Sequence, residues 1–123
     1  MHPWIRRARH DLIKRAVWVA RDLRELSQPA QPADLRALRS GLSGLIDEEG
    51  RPVDARTLWA RLCEDAPAGV GPLLPAVGQA IDAALEAVAH AERDGAGLPA
   101  AVLAVLRIET AFDALARSMN LQN

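Results

Sequence analysis

The sequence predicts an all-α protein, an up-and-down bundle of about five helices, three long and two short. Half of its 123 residues are apolar, and it contains no tyrosine and one phenylalanine, a composition that favours helices over strands. Apolar residues recur at steps of three and four, which is the period of a stripe buried along one side of a helix. Short breaks rich in proline and glycine separate these segments, which favours antiparallel neighbours within one domain spanning 1–123.

The first helix is predicted over about 3–26. Its apolar stripe consists of Ile5, Ala8, Leu12, Ala16, Val19, Leu23 and Leu26. The segment SQPAQPAD, 27–34, ends this helix because proline does not fit a helix interior. A second helix, about 32–46, carries Leu35, Leu38, Leu42 and Leu45 in the same rhythm. Gly41 and Gly44 weaken this helix but permit a neighbouring helix to approach closely.

The acidic segment DEEGRPVD, 47–54, predicts a turn before the third helix. Its outline is similar to a calcium-binding EF-hand loop. That alignment, however, places Leu45 and Arg56 at the first and last ligand positions, where calcium requires oxygen ligands. We therefore expect no calcium site in this segment. The third helix is predicted over about 54–65, with Asp54 as its N-cap residue.

Two further helices complete the predicted bundle. A loop or distorted helix start occupies 66–75, and the fourth helix follows and ends near residue 94, where the glycines of DGAG interrupt it. Its buried residues are predicted to be Val77, Ile81, Ala84, Val88 and Ala91. Pro99 fits the first turn of the last helix. That helix carries the apolar residues Val102, Val105, Ile108, Phe112, Leu115 and Met119.

The charges are distributed unevenly along a chain whose net charge is only −1, so no global field attracts nucleic acid or membrane. Residues 1–40 contain nine Arg and Lys against four Asp and Glu, whereas residues 41–123 contain six against twelve. Two interpretations stay open: the two ends neutralise each other within the fold, or a basic face meets an acidic partner. Glu109, at the edge of the last stripe, is expected to pair with Arg9 or Arg15.

Several function classes lack their sequence signatures. No apolar stretch approaches the ~18 residues of a transmembrane helix, and no secretory signal is recognisable, so a cytoplasmic protein is expected. The single cysteine, Cys63, excludes an intramolecular disulfide and a multi-cysteine zinc site, and we interpret it as a packing residue whose pKa is raised. Glu86 and His90 are the nearest approach to a metal-ligating pair, so no metal and no cofactor are predicted. No catalytic motif is found, and we predict that the protein is not an enzyme.

The segment RARHDLIKRAVW, 7–18, carries the candidate functional residues. At about 100° per residue, His10 lies opposite the apolar stripe and Trp18 also lies away from it, both among cations. Tryptophan and arginine are enriched at interface hot spots, so we predict a protein-interaction surface on the first helix and an adaptor that self-associates through it. The predicted interface residues are Trp4, Arg7, Lys14, Val17, Trp18 and Arg21. The alternative is that Trp18 covers the proline-rich connection 28–33 of its own chain.

Two other functions stay open for the same helix. In a histidine phosphotransfer domain, His10 would accept the phosphoryl group, Asp11 would orient the ring and Lys14 would neutralise phosphoryl oxygens. The segment RHDLIKR, 9–15, resembles the Arg-His-Asp start of sporulation-type phosphotransferase helices, which continue with an Asn and a Gln that are absent here. In a nucleic-acid accessory protein, the helix would present a cluster of basic residues to phosphates, although the isoelectric point near 6.3 argues against this. That cluster comprises Arg6, Arg7, Arg9, Lys14, Arg15 and Arg21.

Overall fold

The computed structural model describes residues 3–25, 31–95 and 97–122, with side chains described as far as residue 119. Within these ranges the chain forms five α-helices, one 3₁₀ turn and a two-stranded antiparallel ladder. The elements are α1 (Pro3–Glu25), α2 (Pro32–Ser43), β1 (Leu45–Ile46), β2 (Pro52–Val53), α3 (Ala55–Cys63), the 3₁₀ turn (Gly71–Leu73), α4 (Leu74–Asp94) and α5 (Leu98–Gln122). The prediction of an all-α bundle with three long and two short helices is confirmed, because α1, α4 and α5 are the long ones.

Four helices surround the core, and α3 packs across one end. Helix α1 contacts α2 and α5, while α4 contacts the same two helices from the other side. Helix α3 contacts α1 and α4. The ring centroid of Trp59 in α3 lies 5.9 Å from that of Trp4, in the first turn of α1. Trp59 also lies close to α4, because a methyl group placed on Gly78, in the second turn of that helix, would lie 3.5 Å from the indole nitrogen. Helix α3 therefore packs where α1 and α4 begin.

Three aromatic side chains connect three helices at this end of the core. Trp59 meets Phe112 of α5 edge-on, with the ring centroids 5.5 Å apart, and both side chains are buried. The indole N–H of Trp4 donates a hydrogen bond of 3.1 Å to the carbonyl oxygen of Leu62. Such aromatic pairs stabilise a core by roughly 0.5–1.5 kcal/mol beyond the burial of area, so they hold α1, α3 and α5 together here.

The buried face of α1 is wider than the predicted stripe. Four of the predicted residues, Ile5, Ala8, Leu12 and Ala16, are buried, whereas Val19 and Leu23 are only half-buried. Leu26 lies outside the described residues. Val17, predicted as an interface residue, is only 4% exposed and packs in the core. The cause is that α1 packs against both α2 and α5, so two of its faces are covered, and Ile13, Val17 and Ala20 are buried as well.

A short hairpin replaces the predicted end of the second helix. Helix α2 ends at Ser43 instead of near residue 46, and Leu45 pairs with Val53 while Ile46 pairs with Pro52. The Asp47 carboxylate holds the turn, because it accepts hydrogen bonds from the backbone N–H groups of Glu49 (3.0 Å) and Arg51 (2.9 Å). An Asp that binds the backbone two and four residues ahead favours a turn over a continuing helix.

The remaining helix boundaries follow local capping chemistry. Asp54 is the N-cap of α3, as predicted, and its carboxylate accepts a hydrogen bond of 2.8 Å from the N–H of Thr57. Helix α4 begins at Leu74, inside the segment predicted as a loop or distorted start, directly after the 3₁₀ turn. Gly95 ends α4 with a φ of 67°, a backbone conformation that glycine adopts without steric cost.

Candidate protein-interaction surface

Trp18 is an exposed tryptophan on the outer face of α1. Its residue surface is 68% exposed, although α1 is covered on other sides by α2 and α5. His10, Lys14 and Trp18 are spaced four residues apart, so they form one row along the helix. A groove of about 400 Å³ lies along one side of this row and a groove of about 380 Å³ along the other, and all three side chains line both. The row is therefore a ridge between two shallow grooves.

The two grooves differ in what lies beyond the ridge. The larger one lies between α1 and α5, with Ile13 and Val17 from α1 and Glu109 from α5 among its lining residues. The smaller one lies on the hairpin side, where Leu45 of β1 lines it together with Arg15 of α1. The surface around Trp18 thus has apolar walls and charged edges, an arrangement that is typical of protein contacts.

His10 contacts both residues that the phosphotransfer interpretation assigns to it. Its Nδ1 lies 3.3 Å from Oδ1 of Asp11, and its Nε2 lies 3.4 Å from Nζ of Lys14. Because an ammonium group only donates, Nε2 is the acceptor in the second contact, which places the proton of a neutral ring on Nδ1, where it is donated to Asp11. The His10 side chain is 63% exposed, so solvent reaches the ring.

Glu109 of α5 neutralises two arginines of α1. Its carboxylate accepts from Nη2 of Arg9 at 2.8 Å and from Nη2 of Arg21 at 2.6 Å, while Nη1 of Arg9 also lies 3.0 Å from Asp113. Partial burial raises the pKa of the Glu109 carboxyl, but the guanidinium groups of Arg21 and Arg9 outweigh it and hold the pKa below its ordinary value of 4.5. The predicted pairing with Arg9 is confirmed, and the second partner is Arg21, not Arg15.

The other predicted interface residues occupy different environments. Arg7 is 68% exposed and contacts two carboxylates, Asp11 at 3.6 Å and Glu48 of the hairpin at 3.5 Å. Trp4 is half-buried and packs within its own chain through Trp59 and Leu62, and the buried Val17 lies in the floor of the larger groove. The open part of the predicted surface is consequently centred on Trp18 and Lys14.

The hairpin contributes residues that sequence reasoning missed. Leu45 lines the groove beside Trp18, and Ile46 is 62% exposed. Both were assigned to the end of the second helix, where the leucine periodicity placed Leu45 in the core. The turn over 47–54 was predicted, but the helix before it ends earlier than predicted, at Ser43, so Leu45 and Ile46 form a strand.

Within the residues that the structure describes, no group of three or more His, Cys, Asp or Glu side chains is placed to hold a metal ion. In the same part of the chain, no helix has the combination of length and apolar character needed to cross a membrane. No protein-family model matches the chain, and no curated protein or solved structure is significantly similar to it.

Proposed function

We propose that this protein is a small, non-enzymatic interaction protein, an adaptor that self-associates through the outer face of α1. The observation that carries the proposal is the 68% exposure of Trp18 on a ridge between two grooves. Fully burying a large apolar side chain stabilises a complex by about 1.5–3 kcal/mol. A tryptophan held on a rigid helix loses little conformational freedom on binding, which makes it an efficient anchor.

The surroundings of Trp18 support contact with protein more than contact with nucleic acid. Arg7, Arg9 and Arg21 each lie within salt-bridge distance of a carboxylate of their own chain. The charges of these guanidinium groups are therefore already partly neutralised by carboxylates of the same chain, which weakens their attraction for phosphate. The apolar groove walls beside Trp18 are complementary to an apolar protein surface but not to the charged phosphate backbone of a nucleic acid.

Size-exclusion chromatography with light scattering, over a range of protein concentrations, tests the proposal. The wild type is expected to exceed the monomer mass of 13.3 kDa, and Trp18→Ala is expected to lose that mass increase. Leu103→Ala is the matched control, because Leu103 is an exposed apolar residue (49%) that lines neither groove beside Trp18. A wild type that stays monomeric at every concentration contradicts self-association.

The contacts of His10 favour histidine phosphotransfer as a second candidate function. In that reaction the Nε2 lone pair attacks the phosphorus of a phosphoryl donor, an N–P bond forms, and the P–O bond to the leaving group breaks. Asp11 stabilises the proton on Nδ1, and Lys14 moves from Nε2 to the phosphoryl oxygens, whose charge it neutralises.

Incubation with acetyl phosphate distinguishes this function from a purely structural role of His10. An acid-labile, base-stable adduct is expected, with acetate as the leaving group, and it should be absent from His10→Ala. His90→Ala is the control, since the His90 side chain is equally exposed at 63% and lies 3.0 Å from the carboxylate of Asp94. If no adduct forms on the wild type, or if both variants lose it equally, phosphotransfer through His10 is wrong.

A further inference from the structure

Two exposed apolar side chains lie on neighbouring elements, Trp18 on α1 and Ile46 on the hairpin, and Leu45 next to Ile46 lines a groove together with Trp18. Leu45 and Ile46 are adjacent in β1, so their side chains point to opposite faces of the strand. Leu45 faces the groove beside Trp18, and Ile46 is exposed on the outside of the hairpin. The Glu48 carboxylate, two residues after Ile46 in the turn, lies 3.5 Å from Arg7 of α1, so the hairpin and α1 are neighbours on the surface.

The two parts carry opposite charge. On α1, Lys14 and Arg15 line the groove beside Trp18 together with Asp11, whose carboxylate already contacts Arg7 at 3.6 Å and His10 at 3.3 Å. On the hairpin, Glu48 and Glu49 follow Ile46 in the turn, and the Glu48 side chain is 87% exposed. We call these two parts together the α1–hairpin surface: one half has an apolar centre with cations, and the other half has an apolar centre with carboxylates. Its members are Lys14, Arg15, Trp18, Ile46, Glu48 and Glu49.

We propose that a second copy of this chain docks on the α1–hairpin surface about a two-fold axis, so that the hairpin of each copy contacts α1 of the other. Ile46 of one copy lies against Trp18 of its partner copy, and Glu48 and Glu49 face Lys14 and Arg15. A two-fold interface requires a surface that is its own complement, and a patch with a cationic half and an acidic half meets this requirement. Each favourable contact is then made twice.

This inference rests on the proposed self-association and names the segment that covers Trp18. Two copies that met through α1 alone would place Lys14 and Arg15 of one copy near the same residues of the other, and like charges at close range cost several kcal/mol. Placing the hairpin opposite α1 replaces this repulsion by attraction. Charge complementarity therefore favours the acidic hairpin of a second copy as the segment that binds α1 beside Trp18.

The hairpin is ordered before it binds. Asp47 fixes the turn through the N–H groups of Glu49 and Arg51, and its Oδ2 also accepts from Nη1 of Arg61 at 3.1 Å. The ladder pair Leu45–Val53 connects the turn to the rest of the chain, where Val53 is buried. Little conformational freedom is lost on docking, which favours association. Because the turn is held by Asp47, the side chains of Glu48 and Glu49 can be replaced without opening it.

Charge reversal in two separate variants tests the inference. The hairpin variant is Glu48→Arg with Glu49→Arg, and the helix variant is Lys14→Glu with Arg15→Glu. Each alone places like charges across both contacts of the dimer, and its dimer dissociation constant is expected to rise about tenfold or more. An equimolar mixture of the two variants restores opposite charges at both contacts of a mixed dimer, so the dimer mass is expected to return in light scattering.

A matched control changes the same number of charges elsewhere. Glu64→Arg with Asp65→Arg reverses two exposed carboxylates directly after α3 and is expected to leave the dimer intact. Thermal unfolding of each variant shows that it is folded. If the hairpin variant stays dimeric while Trp18→Ala is monomeric, the inference fails and the proposed function stands. A mixture that remains monomeric also overturns the inference, and a monomeric wild type removes it together with the proposed self-association.

Discussion

Gly41 of α2 lies directly against Ala16 of α1. A methyl group placed on Gly41 would come within 2.8 Å of the Ala16 Cα and 2.9 Å of its Cβ and backbone nitrogen, closer than real atoms pack. Two small residues thus allow the backbones of α1 and α2 to touch near the middle of the bundle. This contact supports the face of α1 opposite the ridge of His10, Lys14 and Trp18, so it helps fix the helix that carries Trp18.

Gly41→Ala is expected to lower the free energy of unfolding by about 1–3 kcal/mol, because the obstacle is helix backbone, which cannot rotate away as a side chain can. Urea denaturation followed by circular dichroism measures the change. Gly71→Ala is the control, since a methyl group there meets nothing within 4 Å and the residue has no positive φ. That control is expected to be neutral or stabilising by up to about 1 kcal/mol. Equal effects of the two substitutions would contradict the close α1–α2 contact.

Glu109→Gln is expected to destabilise the fold by about 1–2 kcal/mol, because it removes the charged acceptor that Arg9 and Arg21 share. Asp113→Asn removes a neighbouring carboxylate that is 44% exposed and contacts only one of these arginines, so its expected effect is below about 1 kcal/mol. Chemical denaturation of both variants under the same conditions compares them. If Asp113→Asn costs as much as Glu109→Gln, the carboxylate of Glu109 is not the centre of this network.

Acid is expected to destabilise the protein below about pH 5. The N–H of Arg51 is the main cause that lowers the pKa of the Asp47 carboxyl; burial opposes it, and the Arg61 side chain and the N–H of Glu49 add to it. Glu109 also has a lowered pKa. A carboxyl whose pKa is lower in the folded state stabilises the fold above its unfolded pKa, and this contribution disappears as the pH falls through the folded pKa. Stability from these two groups is thus constant near neutral pH and decreases in acid.

Denaturant unfolding at a series of pH values measures this dependence. The wild type is expected to lose unfolding free energy between about pH 5 and pH 2, and Glu109→Gln is expected to show a smaller loss over the same interval because one of the two titrating groups is gone. If the curves of wild type and variant are parallel, protonation of Glu109 does not contribute to acid unfolding.

The helices were predictable because their signal is periodic and local. The stripes of α4 and α5 are buried as predicted, from Val77 to Ala91 and from Val102 to Met119. A period of three to four residues locates one buried face of a helix. It does not show whether one or two neighbouring helices pack against it. Val17 is therefore buried although it lies outside the predicted stripe, because α1 packs against both α2 and α5. Trp18 stayed exposed because no described helix packs on the face that it occupies.

The turn over 47–54 was predicted, but strand β1 before it was not, because Leu45 continues the leucine period of α2 into β1. The turn depends on one buried carboxylate, Asp47, and on its long-range partner Arg61. Local charge counting also left open which arginine pairs with Glu109, since both Arg9 and Arg15 are compatible with an adjacent helix. Only the packing of α1 on α5 selects Arg9 and adds Arg21. Periodicity in the sequence does not locate residues whose role depends on such long-range contacts.

Cys63 is expected to react slowly with alkylating reagents in the folded protein. Burial raises the pKa of its thiol above the ordinary value of 9.0, so the thiolate fraction near neutral pH falls, and the half-buried side chain is also less accessible. The direction of this shift agrees with the sequence prediction, and burial of the thiol is its cause. Because Cys63 ends α3, its reactivity reports whether that helix is packed.

Alkylation with iodoacetamide at pH 8, followed by mass spectrometry, measures this rate. The folded wild type is expected to react roughly tenfold more slowly than the same chain in 8 M urea, where the thiol has its ordinary pKa. Trp59→Ala removes the aromatic ring that α3 places against Trp4 and Phe112, so Cys63 is expected to react faster in this variant at urea concentrations where it is still folded. If the folded wild type reacts as fast as the unfolded chain, α3 is not held against the bundle. The aromatic contacts among Trp4, Trp59 and Phe112 would then contribute little to its docking.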